Sequence, residues 1–374
     1  HTYSEDIHLS ETVSTDRLIH PHRSRHTYTY TQAHQVSMEE GGHTMLFLLT
    51  IVLVPVGILS LVSLLLLMVR MRQEDRKTHS LPKTVRMRTC YPQDVSDEVP
   101  PALLESRDGS LDLTVVVPAY NEEERLGVML EEAVAHLEGG VGAQDGDNYQ
   151  PPCRYEILVV DDGSKDGTQE VVVEFARKHR NPHIKIVPVH PNQGKGNAVR
   201  MGMLAGSGQW LLMADADGAT KFAELVQLKR LASELIDRDG LCVVVGSRAH
   251  LESEAVAKRS LVRNILMWGF HMAVRLLGGV RGIHDTQCGF KLFSRMSARL
   301  LFPSQHIKRW CFDVELLKNA QDLGMPIKET PVYWNEIPGS KLGVVSASLS
   351  MLKDLLRIRF AYASRMWKVK ALES

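Results

Sequence analysis

The sequence is short of four things, and each absence narrows the reading. It has no net charge, since 44 Lys+Arg balance 44 Asp+Glu over 374 residues. A polybasic nucleic-acid binder carries a positive excess, so no nucleic-acid partner is expected. It has only five cysteines, Cys90, Cys153, Cys242, Cys288 and Cys311, with no CxxC pair. That excludes a disulfide framework and argues against a structural zinc site, and reduced thiols facing a cytosol fit the pattern. It has no N-x-S/T sequon, in keeping with a cytosolic face. Finally, it lacks the repeated long apolar runs of a multi-span membrane protein. At 44% hydrophobic residues it is nonetheless too apolar to be disordered, and its length allows one large domain or two ordinary ones.

One long apolar run is present. Residues 45–69, MLFLLTIVLVPVGILSLVSLLLLMV, carry no charge. At helical rise they extend about 37 Å, enough to cross a hydrocarbon core of about 30 Å with some tilt. Pro55 is tolerated in a membrane helix. A cleaved signal peptide would have a shorter apolar core and a small-residue cleavage site, so the run is read as a retained anchor. Residues 38–44 contain Glu39 and Glu40 and no Lys or Arg, whereas residues 70–89 contain seven basic residues. The basic side stays cytosolic, which places everything after Val69 in the cytosol. Residues 1–44, with six histidines in the first 37, show no periodic pattern and are expected to be a disordered extension. A His-rich metal-binding tail is the alternative.

Residues 70–112, with Pro82, Pro92, Pro100 and Pro101, read as a linker. From there a βα alternation begins. Strands are expected at 113–120, 155–164, 183–190, 209–217 and 241–248. Helices are expected at 123–137, 166–180, 196–205 and 221–237. Near-continuous apolar strands alternating with helices predict an α/β domain over 113–343 with a mostly parallel sheet covered on both faces. Residues 256–277 read as a further helix, apolar on one side and basic on the other. At 344–374, Val345, Leu349, Leu352, Leu356 and Phe360 fall at helical spacing, with Lys353, Arg357, Arg359, Arg365 and Lys368 opposite. That pattern suits an amphipathic helix in a membrane surface, or a terminal helix packed on the core.

In such a sheet, ligands bind beyond the carboxyl ends of the strands. Four polar clusters occupy those ends: Pro118–Glu122, Asp161–Ser164, Asn192–Gly196 and Asp215–Gly218. Asp215 and Asp217, one residue apart at a strand exit, present hard oxygen ligands suited to Mg²⁺ or Mn²⁺. A turn built by Asp217-Gly218 is the plainer reading. Asp161-Asp162-Gly163-Ser164 is either an N-cap and turn or a pair of carboxylates for a uracil imide or ribose hydroxyl. Gly194-Lys195-Gly196 opens a helix whose free N–H groups attract anions, with Lys195 assigned to the donor, but it lacks the spacing of a P-loop.

These stretches resemble the inverting family-2 glycosyltransferases of the GT-A fold. VVVPAYNEEERL (115–126), ILVVDDGSKDGT (157–168) and NQGKGNAVRMGM (192–203) carry the likeness, together with LMADADGATKF (212–222), GSRAHLE (246–252), DTQCGFKLF (285–293), RWCFDVELL (309–317) and GSKL (339–342). The resemblance covers nearly all of 113–370 and is narrowest to the members that pass glucose to dolichyl phosphate. It implies UDP-glucose as donor, dolichyl phosphate as acceptor, and a dolichyl β-D-glucosyl phosphate product that serves N-glycosylation at the endoplasmic reticulum membrane. Pro118, Tyr120 and Glu122 would line the uridine pocket, Asp162 would contact the uridine, and Asp215 and Asp217 would hold the diphosphate through the metal. Arg248, Arg259 and Arg263 would receive the acceptor phosphate. Lys291 is a further phosphate-facing candidate, and Asp217, Arg248 and Lys291 form the expected catalytic set. Mannosyl relatives often carry Gln where this chain has Ala219, which removes one metal ligand.

A phosphate monoester is largely ionised at neutral pH, so no general base is required, and Asp313 and Glu315 stay open between acceptor contact and helix capping. Three rivals are weighed. A mannosyltransferase using GDP-mannose shares the fold. A processive polysaccharide synthase would carry QxxRW, whereas Gln305 and Arg309-Trp310 are one residue too far apart. A non-catalytic scaffold binding nucleotide sugar would not need the Asp215 and Asp217 pair.

Overall fold

The computed structural model describes residues 65–66, 68–70, 72–73, 80–105, 109–139, 154–249, 272, 277–335 and 344–369. The chain divides into two compact units, 1–73 and 74–374. In the first, the described residues are helical. Most of the apolar run at 45–69 lies outside the described residues, among which no helix is long and apolar enough to cross a membrane. The expected helix at 256–277, with Arg259 and Arg263, also lies almost wholly outside them.

The second unit is built on a sheet of nine strands among the described residues: β1 Val85–Thr89, β2 Val95–Val99, β3 Leu111–Ala119, β4 Tyr155–Asp161, β5 Ile184–Pro188, β6 Gly208–Ala214, β7 Val243–Ser247, β8 Phe290–Ser294 and β9 Ile327–Pro331. The helices are α1 Ala102–Glu105, α2 Leu126–Leu137, α3 Thr168–Lys178, α4 Lys195–Ala205, α5 Leu225–Leu235, α6 Arg295–Leu301, α7 Phe312–Asp322 and α8 Val344–Ala363. The strand order is β2-β1-β5-β4-β3-β6-β8-β7-β9. Parallel pairing joins β3 to β4, β4 to β5, β3 to β6 and β7 to β9.

Every residue of β3 from Leu113 to Val117 is buried, as a strand covered on both faces requires. Alternate residues serve different helices. Leu113, Val115 and Val117 join Ile157, Val159, Ile184 and Ile186 in one core with Leu126, Leu130, Val172 and Leu225 of α2, α3 and α5. On the opposite face α4 lies against β3 and β4 at Gly202. A Cβ there would meet Val116 Cγ1 at 2.4 Å and Val160 Cγ2 at 2.7 Å, so only glycine permits that approach.

The strand order reverses between β3 and β6, since β4 and β5 lie to one side of β3 and β6 to the other. A crevice forms at such a switch point, outside the carboxyl ends of the strands. The exits of β3 and β6, Pro118–Glu122 and Asp215–Gly218, therefore face the same crevice.

The structure departs from the sequence expectations in three places. The expected linker at 70–112 contains β1 and β2, a hairpin whose first strand pairs antiparallel with β5. β2 is an edge strand with Val95 to Glu98 all exposed, so no buried face marks it in the sequence. β8 runs antiparallel between β6 and β7, which makes the sheet mixed. The C-terminal helix carries two apolar stripes. Leu349, Leu352 and Leu356, the expected stripe, are 66%, 39% and 51% exposed, while Leu355, Ile358 and Ala361 are fully buried against the domain.

Candidate active site

Asp215 follows the last residue of β6 and is fixed by its backbone, which donates to the Gly289 carbonyl at 3.1 Å. Its carboxylate lies 2.6 Å from the Lys195 ammonium, at the first residue of α4. The backbone of β8 runs directly alongside. A Cβ on Gly289 would sit 1.9 Å from Asp215 Oδ2, so residue 289 must be glycine for this carboxylate to keep its place. Burial acts to raise the Asp215 pKa, and the charges of Lys195, Lys291 and Arg248 outweigh it, leaving the carboxyl below its ordinary value. Burial likewise acts to lower Lys195, and Asp215, Asp313 and Asp217 together hold it above the usual ammonium value.

Asp217 makes the turn that its sequence suggested, because its Oδ1 accepts the Ala219 N–H at 3.0 Å. Its second oxygen lies 4.0 Å from Arg125 Nη1. Arg125 is held in turn by Glu122, which accepts Nε at 2.8 Å and Nη2 at 2.7 Å. The Glu122 side chain, expected at the uridine, is thus spent on orienting Arg125 toward Asp217. Tyr120 is exposed on the same rim, and Pro118 sits in β3 opposite Val160.

The exit of β4 is stitched to those of β3 and β5. Asn121, at φ 56°, accepts the Lys165 N–H at 2.8 Å and donates its own N–H to Ser164 at 2.9 Å. Asp162 is buried and accepts the backbone N–H groups of Gln193 at 2.8 Å and Gly194 at 2.7 Å. Burial pushes its carboxyl up, and these two donors offset part of that rise. Asp162 therefore shapes the loop that delivers Lys195. Gly194 and Gly196 are pressed against residues 307–312, where a Cβ on Gly196 would meet Phe312 Cβ at 2.7 Å. Gln305 clamps the same contact by donating to the Gly196 carbonyl at 2.7 Å.

On the other side of β6, Arg248 at the exit of β7 forms a two-point ion pair with Asp285, Nε to Oδ2 at 2.7 Å and Nη2 to Oδ1 at 3.0 Å. Trp334 lies under its guanidinium, 5.5 Å from the ring centre. Lys291, expected to face a phosphate, is 1% exposed and its ammonium donates to Asp313 Oδ1 at 2.7 Å and to the Cys288 carbonyl. It acts on Asp215 as a buried charge, not as an accessible donor. Burial raises the Asp313 carboxyl, with Lys291 and Lys195 offsetting it. Glu315 is fully buried and accepts the N–H groups of His306 and Ile307 and the Tyr362 hydroxyl. Of the two open carboxylates, Asp313 joins the charged cluster and Glu315 holds the chain together.

The exits of β3, β5, β6 and β7 thus bring Glu122, Lys195, Asp215, Asp217 and Arg248 into one linked set of charges. Asp285, Arg125, Gly289 and Trp334 were not singled out by the sequence. Asp285 and Gly289 lie within the DTQCGFKLF stretch, and Arg125 within NEEERL, but nothing in those strings says which charge each one meets. Among the described residues no group of three or more His, Cys, Asp or Glu could hold a metal ion.

Residues 114–302 match the family described as Glycosyl transferase family 2. A dolichyl-phosphate beta-glucosyltransferase of Dictyostelium discoideum is 46% identical over 72% of this chain and 81% of its own length. One of Drosophila melanogaster is 45% identical over 81% and 87%, and one of Homo sapiens is 46% identical over 69% and 78%. Among solved structures, glucosyl-3-phosphoglycerate synthase from Mycobacterium tuberculosis in complex with UDP is 20% identical, with a TM-score of 0.46, over 67% of this chain and 81% of that one.

Proposed function

The chain belongs to glycosyl transferase family 2 and, within it, to the dolichyl-phosphate beta-glucosyltransferases; it is a transferase that passes glucose to dolichyl phosphate, and we propose that UDP-glucose is its donor and that the anomeric centre inverts. The observation that supports a nucleotide-diphosphate donor is the exit of β6 at the switch point, where two carboxylates stand one residue apart with the Lys195 ammonium on Asp215 and the Arg248 charge acting on it. Carboxylates alone would repel a diphosphate, and cations alone would not position a divalent ion. The combination suits a nucleotide diphosphate that arrives with a metal.

In the reaction a phosphate oxygen of the acceptor forms a bond to the anomeric carbon as the bond from that carbon to the UDP oxygen breaks. The bonding pair leaves on the diphosphate. The acceptor is already anionic at neutral pH, so the chain need not remove a proton. Its residues instead align the two phosphates on opposite sides of the sugar and exclude water. Arg248 receives the acceptor phosphate, and Lys195 meets the donor. Asp215 and Asp217 are the residues that would hold a hard cation. Mg²⁺ or Mn²⁺ bound there would supply countercharge for a diphosphate leaving group.

The same reading places the enzyme at the endoplasmic reticulum membrane as a single-pass protein, anchored by residues 45–69 with the catalytic domain on the cytosolic side. The exposed Leu349, Leu352 and Leu356 of α8, on a segment rich in basic residues, rest on the lipid surface. Arg259 and Arg263 are assigned to the acceptor or its headgroup region. The product supplies glucose for lipid-linked oligosaccharide assembly. The test is thin-layer analysis of lipid product from membranes supplied with UDP-glucose or GDP-mannose, each with and without Mg²⁺ or Mn²⁺. Labelled glucolipid from UDP-glucose alone is the expected result, and product only from GDP-mannose would overturn the donor assignment.

A further inference from the structure

The guanidinium of Arg248 is fixed on two sides. Asp285 takes Nε and Nη2 at 2.7 and 3.0 Å, and Asp285 Oδ2 also accepts the Arg248 backbone N–H at 3.0 Å. The central carbon of the guanidinium lies over the Trp334 ring, 5.5 Å from the ring centre. Asp285 is itself buried and held in turn. Its Oδ1 accepts the Gln287 N–H at 3.2 Å, and its own N–H donates to Glu329 Oε1 at 2.7 Å. Glu329 belongs to β9, whose parallel pairing with β7 sets Ser247 opposite Pro331 just before Arg248. Trp334 is anchored by the same stretch, since residue 334 bridges to Thr220 and the Asn335 N–H donates to the Ala219 carbonyl. Two sheet strands and the loop after Asp217 thus converge on a single side chain.

We propose that Asp285 is a positioning residue for the transfer. It takes the Nε/Nη2 edge of Arg248, so that the acceptor phosphate is met by the outer Nη1/Nη2 end, with Trp334 flanking the guanidinium. This rests on the reading that Arg248 receives that phosphate. A free arginine offers a phosphate a two-nitrogen fork in many orientations. One edge committed to a buried carboxylate leaves the outer Nη1/Nη2 fork and one direction, on a side chain that is still 32% accessible. The Arg248 charge also reaches Asp215, so the same guanidinium is coupled to the carboxylate at the exit of β6. A small rotation would therefore misalign the attacking oxygen, and displacements near 1 Å can cost about 10²-fold in rate.

The test is a double-mutant cycle on the full-length enzyme in detergent, reading kcat, acceptor KM and UDP affinity. Asp285→Asn removes one acceptor of the fork and is expected to raise acceptor KM or lower kcat about tenfold, with UDP affinity within twofold. Trp334→Leu is expected to move the same parameters by a smaller factor. It keeps the idea testable if Asp285→Asn does not fold. Arg248→Ala combined with either change is expected to be no worse than Arg248→Ala alone. Additive losses, or an Asp285→Asn enzyme with unchanged acceptor kinetics, would sink the positioning role alone. An Arg248→Ala enzyme with unchanged acceptor kinetics would remove the reading beneath it as well.

Discussion

The ammonium of Lys195 lies 2.6 Å from Oδ1 of Asp215, so the protein supplies this carboxylate with a counter-ion of its own. A divalent cation bound to Asp215 must compete with that ammonium, and a donor diphosphate is the partner that can receive it. Lys195→Met is expected to bind Mn²⁺ several-fold more tightly than the native protein without nucleotide, and to bind UDP about tenfold more weakly. Titration calorimetry with Mn²⁺ alone and then UDP measures both. Unchanged Mn²⁺ affinity would mean that Lys195 does not guard the site.

Asp217 separates two jobs that one side chain performs. Its Oδ1 closes a turn on the Ala219 N–H, and a carboxamide can still accept that bond. Asp217→Asn should therefore leave the melting temperature within a degree or two while cutting turnover by roughly 10²-fold, from lost charge at the diphosphate. Activity close to native in this variant would remove Asp217 from the metal site.

Gly289 has no chemistry of its own, yet the Asp215 carboxylate occupies the space where its Cβ would stand. Gly289→Ala is expected to displace that carboxylate and to weaken Mn²⁺ and UDP binding together by tenfold or more. An overpacking cost of about 1–3 kcal/mol in stability should accompany it. Native UDP affinity in a folded Gly289→Ala protein would contradict the close approach of β8.

The two stripes of α8 predict opposite phenotypes. Ile358→Ala empties a buried position and should lower stability by about 2–5 kcal/mol in urea unfolding. Changing Leu349, Leu352 and Leu356 together to Ser should leave stability nearly unchanged and reduce sedimentation of the 74–374 unit with anionic vesicles. Equal vesicle binding by the triple variant would argue that lipid is met elsewhere.

Cys90, Cys242 and Cys288 are buried thiols, pushed up by burial to about 11, about 12 and about 11. Burial raises Cys311 as well. In the unfolded chain these thiols ionise near their ordinary value of about 8.5, whereas the folded chain keeps them protonated. Their contribution is fully present below that value and is lost as pH climbs toward the folded values. Each group should lower stability by up to about 1.4 kcal/mol per pH unit above about pH 9. Urea unfolding between pH 7 and 10.5 should show that decline, along with negligible labelling of these four thiols in the native protein at pH 8.

Much of this protein is legible from its sequence because the signals are local. Runs such as Val115-Val116-Val117 and Ile157-Leu158-Val159-Val160 carry enough buried apolar surface to be strands wherever they pair, and the polar strings that follow them mark the sheet's exits. Asp215, Asp217 and Lys195 stand out in the sequence as charges at strand exits, and the structure places Lys195 against Asp215. Only the tertiary structure decided which charge meets which. Glu122 turns to Arg125 three residues on, while Asp162 turns to the backbone of Gln193 and Gly194 and Lys291 of β8 to Asp313 of α7, pairings between segments far apart in the chain. The hairpin of β1 and β2 and the inserted β8 were hidden for the same reason. An edge strand has no buried face to display, and the antiparallel register of β8 exists only once β6 and β7 are in place. Arg248 shows the division most plainly: a strand-end arginine is written in the sequence, but the carboxylate and the ring that aim it come from residues 37 and 86 positions away along the chain, brought together only by the sheet.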